Sequence, residues 1–157
     1  DPNSYNICIE SLANKLEHAA SSGNLPKVLI PVHLSGQSCD MKSIHILSKK
    51  YGFTIIKIVS PLSYVSKYSS IGEGTIIMHG VHIGPDVKIG KNCIINTKAN
   101  IEHGSVIADN CHISTSVTVN GDVKIEAESF IGSNSVIKEG ITIKRGSFIK
   151  MGSVIKK

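Results

Sequence analysis

Val65-Ser-Lys-Tyr-Ser-Ser-Ile71 opens a stretch that runs to Ile155 and decides the fold. Taken every sixth residue, it reads Val65, Ile71, Ile77, Ile83, Ile89, Ile95, Ile101, Ile107, Ile113, Val119, Ile125, Ile131, Ile137, Ile143, Ile149, Ile155. Every one of these positions is Ile or Val, with no slip of register. Four residues after each comes a second set, among them Ser69, Thr75, Val81, Cys93, Ala99, Ser105, Cys111, Ser129 and Ser135, nearly all small or β-branched. A period of six fits neither a helix, with about 3.6 residues per turn, nor a strand alternating between two faces. It fits a left-handed parallel β-helix in which each hexad forms one side of a triangular coil. The branched residue fills the prism and the small one packs near a corner. Three hexads close one coil, so the run supports about five coils.

Outside this run the periodicity disappears. Residues 1–57 read as a small α/β segment. Ile9, Leu12, Leu16 and Ala19 sit at helical spacing over Ile9 to Ala20. Lys27-Val-Leu-Ile-Pro-Val32 reads as a buried strand, and Met41 to Tyr51 as a second helix stopped by Gly52. Phe53-Thr-Ile-Ile-Lys-Ile58 reads as a second strand, which makes strand, helix, strand a βαβ unit. The fold expected is thus mainly β, with residues 58–157 as the β-helix and 1–57 preceding it.

Composition narrows the function classes. Aromatic residues make up 4% of the chain and there is no Trp, which argues against the stacking platforms of nucleic-acid binders. The net charge of +5 suits a solvated basic surface or a phosphorylated ligand. No apolar segment approaches a membrane span and no signal peptide is visible, so a cytoplasmic protein with no membrane partner is expected. The chain begins Asp1-Pro2, as a processed product or a fragment would. Cys93 and Cys111 lie 18 residues apart, one coil, and read as stacked core thiols, with a disulfide as the alternative. Glycines such as Gly72, Gly74, Gly80 and Gly84 fall largely at turns, as do Asn92, Asn100 and Asn110.

Two resemblances add to this reading. Asn6-Ile-Cys-Ile-Glu10, Lys27-Val-Leu-Ile-Pro-Val-His-Leu-Ser-Gly-Gln-Ser-Cys-Asp-Met41 and Leu47-Ser-Lys-Lys-Tyr-Gly-Phe53 resemble an internal piece of the pyridoxal-phosphate nucleotide-sugar aminotransferases. The resemblance covers residues 1–56. The strand that should meet an acidic partner of the pyridinium runs instead into Lys57-Ile-Val-Ser-Pro61, so no pyridoxal phosphate is expected. His33 and His45 are read as structural or surface residues.

Residues 58–157 resemble the acetyltransferases that act on sialic acid or on UDP-linked 4-amino sugars. The carrying stretch is Asn96-Thr-Lys-Ala-Asn-Ile-Glu-His103, together with Cys111-His-Ile-Ser114. The resemblance implies His103 as general base and His112 as hydrogen-bond donor near the thioester carbonyl. It implies Gly121, Ser133 and Met151, with His112, as contacts of acetyl-CoA. It further implies a homotrimer with the coenzyme between neighbouring β-helices and a sugar or nucleotide-sugar acceptor. Where that family often places an acidic residue after the catalytic histidine, this chain has Gly104. The nucleotide-binding domain with its Gly-rich turn and a C-terminal tail are both expected to be lacking.

Three functions compete. The first is acetyl transfer from acetyl-CoA to an amino or hydroxyl group of a sugar. The second is a non-catalytic trimeric scaffold that has lost its sugar-binding domain. The third is a zinc hydratase, which needs three converging histidines. His103 and His112 are nine residues apart and His79 and His82 three apart, unlike that pattern, so no metal is expected.

Overall fold

The computed structural model describes residues 1–32 and 37–156. His33 lies outside the described residues, as does Lys157 at the chain end. The chain divides into two compact units, residues 1–54 and 55–157.

The larger unit is a parallel β-solenoid of two-residue strands. The first face stacks Ile58–Val59, Ile76–Ile77, Ile94–Ile95, His112–Ile113, Phe130–Ile131 and Phe148–Ile149. The second face stacks Tyr64–Val65, His82–Ile83, Asn100–Ile101, Thr118–Val119, Val136–Ile137 and Val154–Ile155. The third stacks Ser70–Ile71, Lys88–Ile89, Val106–Ile107, Lys124–Ile125 and Thr142–Ile143. Every ladder joins residues 18 apart, as Ile58 with Ile76 and His112 with Phe130. In each strand the second residue points inward and the first outward. Ile83, Ile95, Ile101, Ile113, Val119, Ile125, Ile131 and Ile137 have no exposed surface. Each such side chain contributes roughly 1.5–3 kcal/mol by leaving water.

The second sixfold set explains how polar residues enter this core. Ser105 Oγ donates to the Asn120 carbonyl (2.8 Å) and accepts from the Val123 N–H (3.1 Å). Thr75 and Ser135 make the same pair of bonds to the coil above. Each hydroxyl donates one bond and accepts one, which offsets the cost of its burial. Cys93 and Cys111 are buried and free, each thiol turned to a carbonyl of the next coil (3.1 Å to Ala108, 3.3 Å to Glu126).

A third sixfold register shapes the corners. Gly74, Gly80, Asp86, Asn92, Lys98, Gly104, Asn110, Ser116, Asp122, Glu128, Asn134, Gly140, Gly146 and Gly152 all have positive φ, between 56° and 72°. Asn92 and Asn110 belong to it. Asn100 does not: it opens a strand, and its amide donates to Glu102 Oε1 (2.7 Å). Gly72, Gly84, Gly90 and Gly132 have a different reason. Each is where the next coil's atoms leave no room, and a Cβ at Gly132 would lie 2.5 Å from the Met151 nitrogen.

The smaller unit corrects the βαβ expectation. Among its described residues there are two helices, α1 (Ile9–Ser21) and α2 (Met41–Lys50), and no strand. Leu12, Leu16, Cys39 and Ile44 form its core. Asp40 caps α2 by accepting from the Ser43 N–H (3.0 Å), and Gly52, at φ 76°, follows its end. Val28, Ile30 and Val32 are exposed. An apolar run becomes a strand only beside a sheet edge that takes up its N–H and C=O groups, and the described residues of this unit form no sheet. Of Phe53 to Ile58, only Ile58 enters a ladder, and its partner is Ile76 in the solenoid. Among the described residues no helix is long and apolar enough to cross a membrane.

Candidate active site

One coil takes 18 residues, so His103 and His112, nine apart, stand half a coil from each other. His103 follows Ile101–Glu102 and occupies the corner between the second and third faces, exposed. His112 is the outward residue of its strand in the middle of the first face. In a triangular prism a corner and the middle of the opposite face are separated by the full height of the cross-section. A single prism therefore does not bring the two imidazoles together.

His112 is half-buried. Its ladder neighbours are Ile94 and Phe130. The Phe130 ring meets its imidazole edge-on (5.2 Å between centroids, 81°), and Phe148 stacks on Phe130 (4.9 Å, 11°). Burial pushes the His112 pKa down, because an imidazolium loses hydration there. The ring is thus neutral near pH 7, with one N–H to donate. The Asn96 side-chain amide stands 3.4 Å from Nε2. If that amide donates, the ring proton rests on Nδ1.

Ser133 and Met151 sit one above the other at the corner between the first and second faces, where the Gly152 N–H donates to the Ser133 carbonyl (2.8 Å). Ser133 Oγ bonds Ser114 Oγ (2.8 Å), and Met151 is exposed. His112, Ser133 and Met151 thus share one side of the solenoid.

Gly121 lies on the opposite side, directly above His103. A Cβ there would stand 2.6 Å from His103 Cε1 and 2.7 Å from Nε2. The glycine leaves the space in which the imidazole lies. Sequence reasoning paired Gly121 with the coenzyme and missed this contact, although the two residues are one coil apart. It also gave no role to Phe130 and Phe148. Their signal was equally plain, since they repeat the His112 position at 18-residue intervals.

The other solenoid histidines are engaged locally. His79 Nδ1 stands 2.6 Å from Ser60 Oγ, and the His82 ring stacks on Tyr64 (4.9 Å, 16°). Among the described residues no three His, Cys, Asp or Glu side chains converge on a metal-sized site.

Comparison with known proteins divides the chain as the periodicity does. Residues 68–101 match the bacterial transferase hexapeptide family (six repeats), and residues 122–157 match the hexapeptide repeat of succinyl-transferase. Residues 1–59 match the DegT/DnrJ/EryC1/StrS aminotransferase family. EpsN of Bacillus subtilis, named as a pyridoxal phosphate-dependent aminotransferase, is 33% identical over 81 residues, covering 52% of this chain and 21% of its own. The dTDP-3-amino-3,6-dideoxy-alpha-D-galactopyranose transaminase of Aneurinibacillus thermoaerophilus is 44% identical over 57 residues, covering 36% of this chain and 14% of its own. The chain therefore spans about a fifth or less of the curated relatives it matches. Among solved structures, the acetyltransferase domain of PglB from Neisseria gonorrhoeae superposes with a TM-score of 0.68 at 25% identity, covering 73% of this chain and 56% of that one. WeeI from Acinetobacter baumannii gives 0.67 at 26%, covering 74% and 57%. A GDP-perosamine N-acetyl transferase variant from Caulobacter crescentus, solved with CoA and GDP-perosamine, gives 0.62 at 23%, covering 92% and 67%, a likeness of fold.

Proposed function

We propose that the chain transfers an acetyl group from acetyl-CoA to an amino or hydroxyl group of a nucleotide-linked sugar, as a homotrimer whose site is shared between protomers. The observation that carries this reading is the half-coil separation of His103 and His112. Around a threefold axis, the corner of one prism meets the face of the next. Such a head-to-tail contact closes into a ring. It sets His103 of one protomer against His112 of its neighbour, which one prism alone cannot do. The hexapeptide matches and the acetyltransferase domain among the solved relatives support the same class. The transaminase relative bears on the acceptor, because its named dTDP-sugar carries an amino group, a fitting nucleophile.

The residues divide the chemistry between them. His103, exposed at its corner, takes the proton from the attacking N–H or O–H as the new bond to the acetyl carbon forms. His112, kept neutral by burial, donates its N–H to the carbonyl oxygen as negative charge gathers there and the carbon–sulfur bond breaks. The side bearing His112 fits an acyl thioester: a single neutral donor beside an apolar column. Phe130, Phe148 and Met151 would cover the aliphatic arm and keep water from it, with Ser133 beside them as a polar contact. Gly121 would act through His103, by leaving room for its ring.

A coenzyme-release assay with acetyl-CoA and a panel of nucleotide-linked amino sugars tests the proposal. Release with at least one acceptor, lost in His103→Ala, is the expected result. No release with any acceptor, and no difference in His103→Ala, would leave the non-catalytic trimeric scaffold in its place.

A further inference from the structure

The corner that carries His103 is interlocked with the corner above it. Gly104 and Asp122 occupy the same turn position in successive coils, with φ of 66° and 56°. The Asp122 N–H donates to the His103 carbonyl (2.9 Å), which fixes one turn on the other. A Cβ at Gly104 would collide with Asp122 Oδ1, just as one at Gly121 would collide with the His103 ring. Each glycine thus leaves the space that a side chain of the other coil fills. His103-Gly104 lies under Gly121-Asp122, with the imidazole in the place over Gly121 and the carboxylate in the place over Gly104.

Asn92, in the same turn register, shows what a side chain in this position otherwise does. Its Oδ1 also lies over a glycine one coil below, Gly74, but its amide donates to Asn110 Oδ1 (3.0 Å). Among the described residues the Asp122 side chain has no such partner. Its carboxylate is directed to this corner without a hydrogen bond to explain it. The other charges around the corner are Asp86 and Lys88 in the coil below, Glu102 beside His103, Lys124 in the coil above, and Lys138 and Glu139 beyond. Glu102 is already engaged by the Asn100 amide.

We infer that Asp122 is a positioning residue for His103. Its carboxylate limits the swing of the imidazole and offsets the positive charge the ring gains as it takes a proton. It does so from the next coil, in the space that a side chain at position 104 would otherwise fill. The inference rests on the acetyl-transfer reading above.

The test uses Asp122→Asn, which keeps a side chain that tolerates positive φ and so preserves the turn. The C2-proton resonance of His103 is followed by NMR across pH in the full-length protein, assigned by its loss in His103→Gln. In Asp122→Asn the titration curve moves to lower pH by about half a unit, and Asp122→Glu restores most of the difference. An unmoved curve in Asp122→Asn overturns the inference. Where the release assay has supplied an acceptor, kcat with acetyl-CoA falls about tenfold in Asp122→Asn and the acid limb of its pH profile moves the same way. An unchanged kcat and limb likewise overturn it. The NMR curve needs no acceptor. A shifted curve in a protein that releases no coenzyme would sink the acetyltransferase reading while leaving the pairing of Asp122 with His103 standing.

Discussion

The corner that carries His103 and the face that carries His112 come from the same coil and treat their histidines oppositely. At the corner, glycines at 104 and 121 leave space that the Asp122 carboxylate and the His103 ring fill, and the imidazole is exposed. On the face, Ile94, Phe130 and Phe148 build an apolar column, and the imidazole is half-buried among them. Water reaches the first freely and the second only in part. An exposed imidazole can exchange protons with an acceptor and with solvent. A desolvated one stays neutral and serves as a fixed donor. A single repeat thus furnishes two distinct environments, because its corner and its face answer to different constraints.

The sharpest way to break this comparison is to remove each histidine. His103→Ala should lower kcat by about 10²–10⁴, the usual loss of a general base. His112→Ala should lower it by about 10²–10³, the loss of one oxyanion donor. The split between KM and kcat, measured with acetyl-CoA as the varied substrate, separates them further. His112→Ala should also raise KM, because the proposal lays the coenzyme along its column, whereas His103→Ala should leave KM nearly unchanged. Equal effects on both constants would dissolve the distinction.

Gly121→Ala should come next. The added methyl meets the His103 ring, with 2.6 Å to Cε1, so the ring must turn away. A kcat loss of about tenfold or more is expected, since misplaced catalytic groups cost that readily. The same substitution at Gly140, where a Cβ meets nothing within 4 Å but φ is 70°, is the control for a general loss of stability. Gly140→Ala should lower the melting temperature without lowering kcat. A kcat loss in both would assign the effect to lost stability and not to the displaced His103 ring.

The smallest effect concerns pH. Burial lowers the His112 pKa below its ordinary value near 6.5. Between the two values the unfolded chain binds more protons than the folded one, so stability rises with pH across that window. Acidification from pH 7.5 to 5 should therefore lower the melting temperature, and His112→Gln should make that fall shallower. Phe130→Ala should act in the same direction, because it lets water reach the imidazole. Identical pH dependence in all three proteins would mean that the face does not desolvate His112.

The sixfold Ile and Val run was fully legible, because an inward side chain every sixth residue leaves a compositional trace. The register of positive φ was not, because Gly, Asp, Asn, Lys, Ser and Glu all occupy it. It is a backbone property shared by residues of different type, and Asn100 shows the hazard of reading turns from type alone. Lys27 to Val32 misled for a related reason: a run of Val, Leu and Ile states a preference for burial or pairing but names no partner strand. The candidate site divides likewise. The two histidines stood out from their local pattern. That they stand on opposite sides of the prism follows from nine being half of eighteen, but the contacts of His103 with Gly121 and of Gly104 with Asp122 depend on how adjacent coils seat at a corner.

The central claim is that a working site draws His103 from one protomer and His112 from another. Mixing the two inactive variants, His103→Ala and His112→Ala, by co-refolding at equal ratio tests it directly. Averaged over randomly assembled trimers, each site then has about a one-in-four chance of holding both intact histidines. The account predicts coenzyme release at about a quarter of the wild-type rate. Release no higher than that of either variant alone would contradict it.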